Sequence, residues 1–437
     1  MLRIENLTFT LAGKRLFEGA SATVPSGHKV GLVGRNGSGK TTLLRLIRGE
    51  LSPEGGRIEL RAGARIGSVA QEVPGSDVSL LDTVLSFDAE RTALLAEAAD
   101  PATPPARIAE AQARLADIDA WSAEARAATI LAGLGFPAEA QARPCSSFSG
   151  GWRMRVALAG VLFSRPDLLL LDEPTNYLDL EGALWFEGFL QRYPHTALVI
   201  SHDRDLLDRA VGGILHLDGR RLGYWQGGYS QFRRQWAERR ATQAAEARKI
   251  EARRAHLQSF VDRFRAKATK AAQAQSRLRM LERLAPVALA PEAPDVTFAF
   301  PEPGVLAPPI VTLEGAAAGY GGAPVLRRLS LRIDQDDRIA LLGRNGEGKS
   351  TLARLIAGRL EPMGGAIRRA RGLRIGYFAQ HQIDELRPDE SALAHVDRLR
   401  PDEPVARRRA RLAAFGLGAD QAGVRAADLS GGQKARL

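Results

Sequence analysis

Cysteine and long apolar runs are the scarce features of this sequence. Cys145 is the single cysteine among 437 residues. Intramolecular disulfides and cysteine-built zinc sites are therefore excluded, and the usage fits a reducing, cytoplasmic compartment. No stretch reaches the ~18 apolar residues that span a bilayer, and no charged segment leads into an apolar one as a secretory signal does. These absences exclude a transporter in one chain but leave room for a transporter's soluble subunit. The longest stretch without glycine or proline runs from Ser230 to Ala285, in a chain that holds 44 Gly and 23 Pro.

With 45% hydrophobic and 25% charged residues, the composition is that of ordinary globular domains. At ~150 residues per domain, the length calls for several. The net charge of +11 is unevenly spread: Gln231 to Leu284 holds 15 Lys/Arg against 5 Asp/Glu. Nearly all the excess thus sits in one segment, which points to a polyanionic partner.

An internal repeat organises the rest. GRNGSGKT starts at Gly34 and GRNGEGKS at Gly343, 309 positions later, and the same offset carries Gln71 onto Gln380. A second pair, Ser149-Gly-Gly and Ser430-Gly-Gly, is 281 positions apart, so the first copy holds 28 extra residues between these landmarks. They fall near Asp88–Arg126, rich in helix-forming Ala, Glu and Arg and broken by Pro101, Pro104 and Pro105. A short helical hairpin is expected there.

Each copy shows a β-run, Lys29–Val33 or Arg338–Leu342, then a Gly-rich loop, then a helix, Lys40–Arg48 or Lys349–Gly358. Strand, loop and helix in that order form the setting of a phosphate loop. The expected cradle is Gly34, Arg35, Asn36, Gly37, Ser38, Gly39, Lys40, Thr41 and Thr42. Its repeat is Gly343, Arg344, Asn345, Gly346, Glu347, Gly348, Lys349, Ser350 and Thr351. Glycines let backbone N–H groups turn onto phosphates, the lysine adds charge, and the Thr41 or Ser350 hydroxyl suits Mg²⁺. The apolar runs Leu168–Leu171 and Ala197–Ile200 read as strands buried on both faces. Asp172, at the end of the first, is placed to hold Mg²⁺, and Glu173 to deprotonate an attacking water. His202, after the second, is a candidate γ-phosphate contact.

Gly-rich loop, Gln71, FSGGW (Phe148–Trp152), LLLLDEP (Leu168–Pro174), NYLD (Asn176–Asp179) and SHD (Ser201–Asp203) follow the order of an ABC ATPase domain, which the chain resembles. The resemblance makes Gln71 and Gln380 Q-loop residues beside Mg²⁺, and Asp179 a D-loop aspartate. It makes Ser149, Gly150 and Gly151, with Ser430, Gly431 and Gly432, the two signatures. Such domains work as head-to-tail pairs, each ATP lying between one phosphate loop and the other signature. Tyr320 resembles the adenine-stacking aromatic of the second copy; the equivalent first-copy position is Leu11, with Phe9 as an alternative.

Two such domains joined by a long basic linker resemble the ABC-F proteins. FSGGWRMR, DEPTNYLD and Phe260–Leu284 carry the likeness, the last most similar to the YheS-like branch. The fold expected is α/β: two P-loop ABC domains, 1–222 and 310–437, around a basic helical linker and Pro-rich return, 223–309. Composition and spacing (Phe232/Trp236, Leu257/Val261/Phe264, Leu278/Leu281) predict two linker helices of about 25 residues. They would form an arm of roughly 40 Å that turns near Ala266–Lys270. Arg263, Arg265, Lys267, Lys270, Arg277 and Arg279 cluster around that turn as candidate RNA contacts. The chain ends at Leu437, right after LSGGQKARL; by analogy with the first copy, a second Walker B strand is expected further on, so this reads as a C-terminally truncated, incomplete second domain with weak activity. The resemblance implies a monomeric, ribosome-associated ATPase that engages rRNA and tRNA. The competing reading is a fused-domain ATPase subunit of an ABC importer, which needs no basic arm. DNA repair is a third, without the far longer coiled coils or zinc sites usual there.

Overall fold

The computed structural model describes residues 1–11, 13–69, 75–264, 276, 278–280, 302, 304–378 and 386–437, with 260, 263 and 264 described by backbone alone. They form two compact units: Met1–Tyr177 with Gly182–Ala293, and Pro294–Leu437 with Leu178–Glu181. No helix among the described residues is long and apolar enough to cross a membrane.

In the first unit, β1 (Leu2–Leu11), β2 (Lys14–Val24) and β4 (Gly55–Leu60) make an antiparallel sheet in the order β2-β1-β4. A second sheet combines β3 (Lys29–Gly34), β5 (Ile66–Ser68), β6 (Leu168–Asp172), β7 (Thr196–Ile200), β8 (Gly213–Asp218) and β9 (Arg221–Gln226). Its order is β5-β6-β7-β3-β8-β9, parallel except for the β8–β9 hairpin. Leu168 to Leu171 and Ala197 to Ile200 are all buried, which explains why both segments read as unbroken apolar runs. Since β3, β6 and β7 run parallel, the phosphate loop, Asp172-Glu173 and Ser201-His202 leave the sheet from the same carboxyl edge.

Helices α1 (Lys40–Ile47), α2 (Leu80–Leu85), α3 (Ala89–Ala99), α4 (Pro105–Asp117), α5 (Ala123–Gly133), α6 (Ala138–Gln141), α7 (Gly150–Phe163), α8 (Leu180–Arg192) and α9 (Arg204–Arg209) complete this unit's cassette. The hairpin expected near 88–126 is α3 and α4, clasped by Arg107–Glu97 and Arg114–Glu90 ion pairs. Pro105 opens α4 rather than breaking it, since the first helical position needs no N–H. The linker begins with α10 (Tyr229–Phe264), one helix of 36 residues where about 25 were expected. No residue in it breaks the backbone ladder. Phe232 and Trp236 seat its root on Val33, Leu207, Val211 and Ile214, and Leu257 and Val261 are buried one turn apart. The expected turn at Ala266–Lys270 lies outside the described residues.

The second unit repeats the antiparallel sheet with β10 (Val311–Tyr320), β11 (Ala323–Ile333) and β12 (Gly364–Arg369), ordered β11-β10-β12. Its helices are α11 (Lys349–Ile356), α12 (Ala392–Leu399), α13 (Val405–Ala414), α14 (Ala419–Ala422) and α15 (Gly431–Arg436). The bridge Ser79↔Pro144 flanking α2 recurs as Ser391↔Arg425 flanking α12, and nothing in the second unit corresponds to α3 and α4 among the described residues. One expectation is corrected here. Arg338–Leu342 forms no strand, and Ile339 and Leu342 are 57% and 77% exposed. In the first unit β3 is flanked by β7 and β8, which come after the signature helix in the chain; among the described residues of the second unit no strand stands beside Arg338–Leu342. Without neighbours to pair its N–H and C=O groups, the run has no ladder to join.

Leu170 lies at the centre of the first unit, in the core shared by both of its sheets. Leu170→Ala is expected to destabilise this unit by about 2–5 kcal/mol, read as a lower urea midpoint by tryptophan fluorescence.

Candidate nucleotide site

The two phosphate loops share their backbone devices. Gly39 and Gly348, at the N-caps of α1 and α11, have φ of 106° and 96°. A Cβ at Gly348 would meet Leu326 Cδ2 at 2.7 Å, and one at Gly39 would press on Phe17 and Leu16 at 3.2–3.3 Å. Only glycine combines that φ with so close an approach. Lys40 Nζ donates to Gly34 O (2.9 Å) and Arg35 O (3.3 Å), and Lys349 Nζ to Gly343 O (2.6 Å) and Arg344 O (2.7 Å). Each lysine is thereby folded over its own loop. Burial pulls the Lys40 ammonium below the usual lysine range, opposed by the charges of Glu173 and Asp172.

The loops also differ. Ser38 Oγ is buried without a hydrogen-bond partner, whereas Glu347, the matching residue, accepts a bond from the Arg344 backbone N–H at 2.9 Å. Thr42 and Thr351 are buried. Thr41 and Ser350, one position earlier, are exposed.

At the end of β6, Thr41 Oγ1 donates to Asp172 Oδ2 at 2.7 Å. Glu173 adopts φ 50°, left-handed for a non-glycine residue, and its N–H donates to Ile200 O at 2.9 Å. This strained turn brings its carboxylate to His202: the backbone N–H donates to Oε2 at 3.3 Å, and Nε2 lies 3.3 Å from Oε1. Lys40, Thr41, Asp172, Glu173 and His202 therefore converge on one edge of the sheet. Gln71 and Gln380 lie outside the described residues.

These groups suit ATP with Mg²⁺. The unpartnered Ser38 hydroxyl is a buried polar atom awaiting a partner. Thr41 and Asp172 present hard oxygen donors side by side. No cluster of three His, Cys, Asp or Glu able to hold a metal occurs among the described residues. Mg²⁺ that keeps its waters and leans on substrate phosphates needs no such cage.

The signatures head α7 and α15. Ser430 forms a full capping box with Gln433, while Trp152 stands at that position in the first copy and Ser149 makes no side-chain cap. Trp152 instead packs edge-on to Phe136, which also meets Phe148. Tyr320 is exposed, its hydroxyl held by Arg354 at 3.0 Å; bonds from Thr351 and Arg354 lower the phenol below its usual range. Leu11 is exposed, but Phe9 is buried in the core and offers no surface for a base. Of the linker cations, Arg279 is exposed on a helical segment and Arg263 lies in α10. Arg265, Lys267, Lys270 and Arg277 lie outside the described residues.

Two features escaped sequence reasoning. Asp208, in α9, accepts from both the backbone N–H and the hydroxyl of Ser230 at 2.6 Å, fastening the start of α10. Arg155, in the signature helix α7 itself, is buried. Arg155 closes the FSGGWRMR motif, but nothing local shows the roles of the two residues, since their hydrogen-bond partners are 21 or more positions away.

A family model described as ABC transporter matches residues 17–176 and 326–437, and a further ABC transporter model matches 215–300. The "Probable ATP-binding protein YheS" of Haemophilus influenzae is 44% identical over 443 residues, and its counterpart in Escherichia coli K12 is 45% identical over 439. Human "ATP-binding cassette sub-family F member 3" is 40% identical over 450 residues. Each alignment takes in 100% of this chain; it spans 69% of the two bacterial relatives and 62% of the human one. With cassette matches in both halves and full-length similarity to these proteins, the chain belongs to the ABC-F family of ATPases.

Proposed function

We propose that this ATPase is a ribosome-associated translation factor whose ATP cycle controls engagement of rRNA and tRNA by the basic linker. The observation that carries this reading is the placement of charge. The 15 Lys/Arg from Gln231 to Leu284 begin within a 36-residue helix rooted on the nucleotide-binding sheet.

Lys40 and the loop N–H groups hold the phosphates, and Thr41, Asp172 and Gln71 hold the metal, which neutralises developing phosphate charge when bound. Glu173 takes the proton of the attacking water, and His202 keeps the Glu173 carboxylate in place and senses the γ-phosphate. By resemblance, Ser430, Gly431 and Gly432 complete this site when the cassettes pair within one chain. Ser149, Gly150 and Gly151 complete the other, beside Lys349, Ser350 and Gln380, with Tyr320 against adenine.

The test is co-sedimentation with ribosomes, membrane vesicles and duplex DNA, with and without ATP. ATP-dependent pelleting with ribosomes alone is the expected result. Pelleting with membranes would favour an importer subunit and overturn the proposal.

A further inference from the structure

Arg155 is 1% exposed, the largest fully buried side chain among the described residues. A buried guanidinium is costly unless its donors are met. Its Nη1 donates to Leu134 O at 2.9 Å, at the C-terminal end of α5, where the helix dipole favours a cation. Its Nε donates to Tyr177 O at 2.6 Å, and the group stacks 4.4 Å from the centre of the Trp152 ring. The surroundings are cut to fit it. Gly135 has φ 93°, and a Cβ there would lie 2.9 Å from Nη1.

Tyr177 ends the short 3-10 turn Pro174–Tyr177, which starts directly after Glu173. The Glu173 turn is thus held twice. On one side the Glu173 N–H bonds Ile200 O of β7. On the other, Arg155 grips Tyr177 O from α7, the helix headed by Ser149, Gly150 and Gly151. We infer that Arg155 is a positioning residue for the hydrolytic turn: it fastens the segment bearing Glu173 to the signature helix, so that displacement of the signature is felt at Glu173. The inference rests on the reading of Glu173 as the base. It adds that the geometry of that base is set by the signature helix of its own cassette, through one buried guanidinium.

The consequence is a split between binding and chemistry. Lys40 bonds Gly34 O and Arg35 O, and Thr41 bonds Asp172, so ATP affinity should survive replacement of Arg155. Lysine keeps the charge but, with a single head, does not reproduce the planar fork that serves two carbonyls while stacking on an indole. Arg155→Lys is expected to lower kcat at least about tenfold, since a misplaced catalytic group is costly, with KM and fluorescent-ATP affinity unchanged. Because Arg155 acts through Glu173, the double variant with Glu173→Gln should be no slower than Glu173→Gln alone.

Four outcomes separate the possibilities. An unchanged kcat in Arg155→Lys overturns the inference. A joint loss of kcat, ATP affinity and unfolding midpoint overturns it in favour of a structural role. If Glu173→Gln lowers turnover and Arg155→Lys lowers it further in the double variant, the inference fails while the base assignment stands. If Glu173→Gln turns over as wild type, both fail. Should Arg155→Lys not fold, Arg155→Gln, which can still donate to one carbonyl, is put through the same measurements with the same expectations.

Discussion

Glu173→Gln should turn over ATP about 10²–10⁴-fold more slowly than wild type, the usual worth of a positioned general base, while binding ATP as tightly. The separation follows from the geometry. The phosphate loop is closed by Lys40 on Gly34 and Arg35, and the metal position is framed by Thr41 and Asp172; neither uses Glu173. The amide of glutamine is nearly isosteric and still accepts a bond from the His202 N–H, so the strained turn keeps its shape. It has lost the negative charge and, with it, the capacity to take a proton. The variant should accumulate with ATP bound and pellet more strongly with ribosomes. Single-turnover and steady-state ATPase, with sedimentation, are the measurements. Unchanged turnover would show that another group accepts the proton.

The second large effect concerns the linker. Changing Arg265, Lys267, Lys270 and Arg279 together to Glu replaces four cations with four anions. Each phosphate contact on a single strand contributes about 0.7 to the slope of log K against log salt. Losing four should remove roughly 3 from that slope and weaken ribosome binding by at least about 100-fold near 0.1 M salt. Fluorescent-ATP affinity should be untouched, because none of these residues belongs to either phosphate loop. A salt titration of co-sedimentation reads both quantities. Wild-type binding by this variant would show that the ribosome is engaged elsewhere.

What could be read from the sequence was what repeats or obeys a local period. The loops at Gly34 and Gly343, the buried strands at Leu168 and Ala197 and the helical insert before Arg126 were all legible, because backbone propensity and spacing encode them directly. The failure at Arg338–Leu342 is equally instructive. Its composition is that of β3, yet a parallel strand exists only between partners, and pairing is not a property of the run itself. Phe9 is another such case: aromatic and near the loop, but its side of β1 faces the core. The roles of Arg155 and Asp208 were invisible because a charged residue looks solvated until the fold reveals which distant carbonyl or amide it meets. The linker helix was underestimated because nothing within it says where to stop.

That helix has a mechanical consequence. At ~1.5 Å per residue, 36 residues extend for about 54 Å. Its root is clamped by Asp208, and Asp208 stands on the six-residue α9, whose N-terminus is capped by Asp203, the neighbour of His202. A rigid rod fixed at one end is a pointer. By the rise that sets that length, a tilt of about 10° at the clamp carries the far end roughly 9 Å. A small tilt at the clamp therefore becomes a shift of several ångströms at the far end of α10.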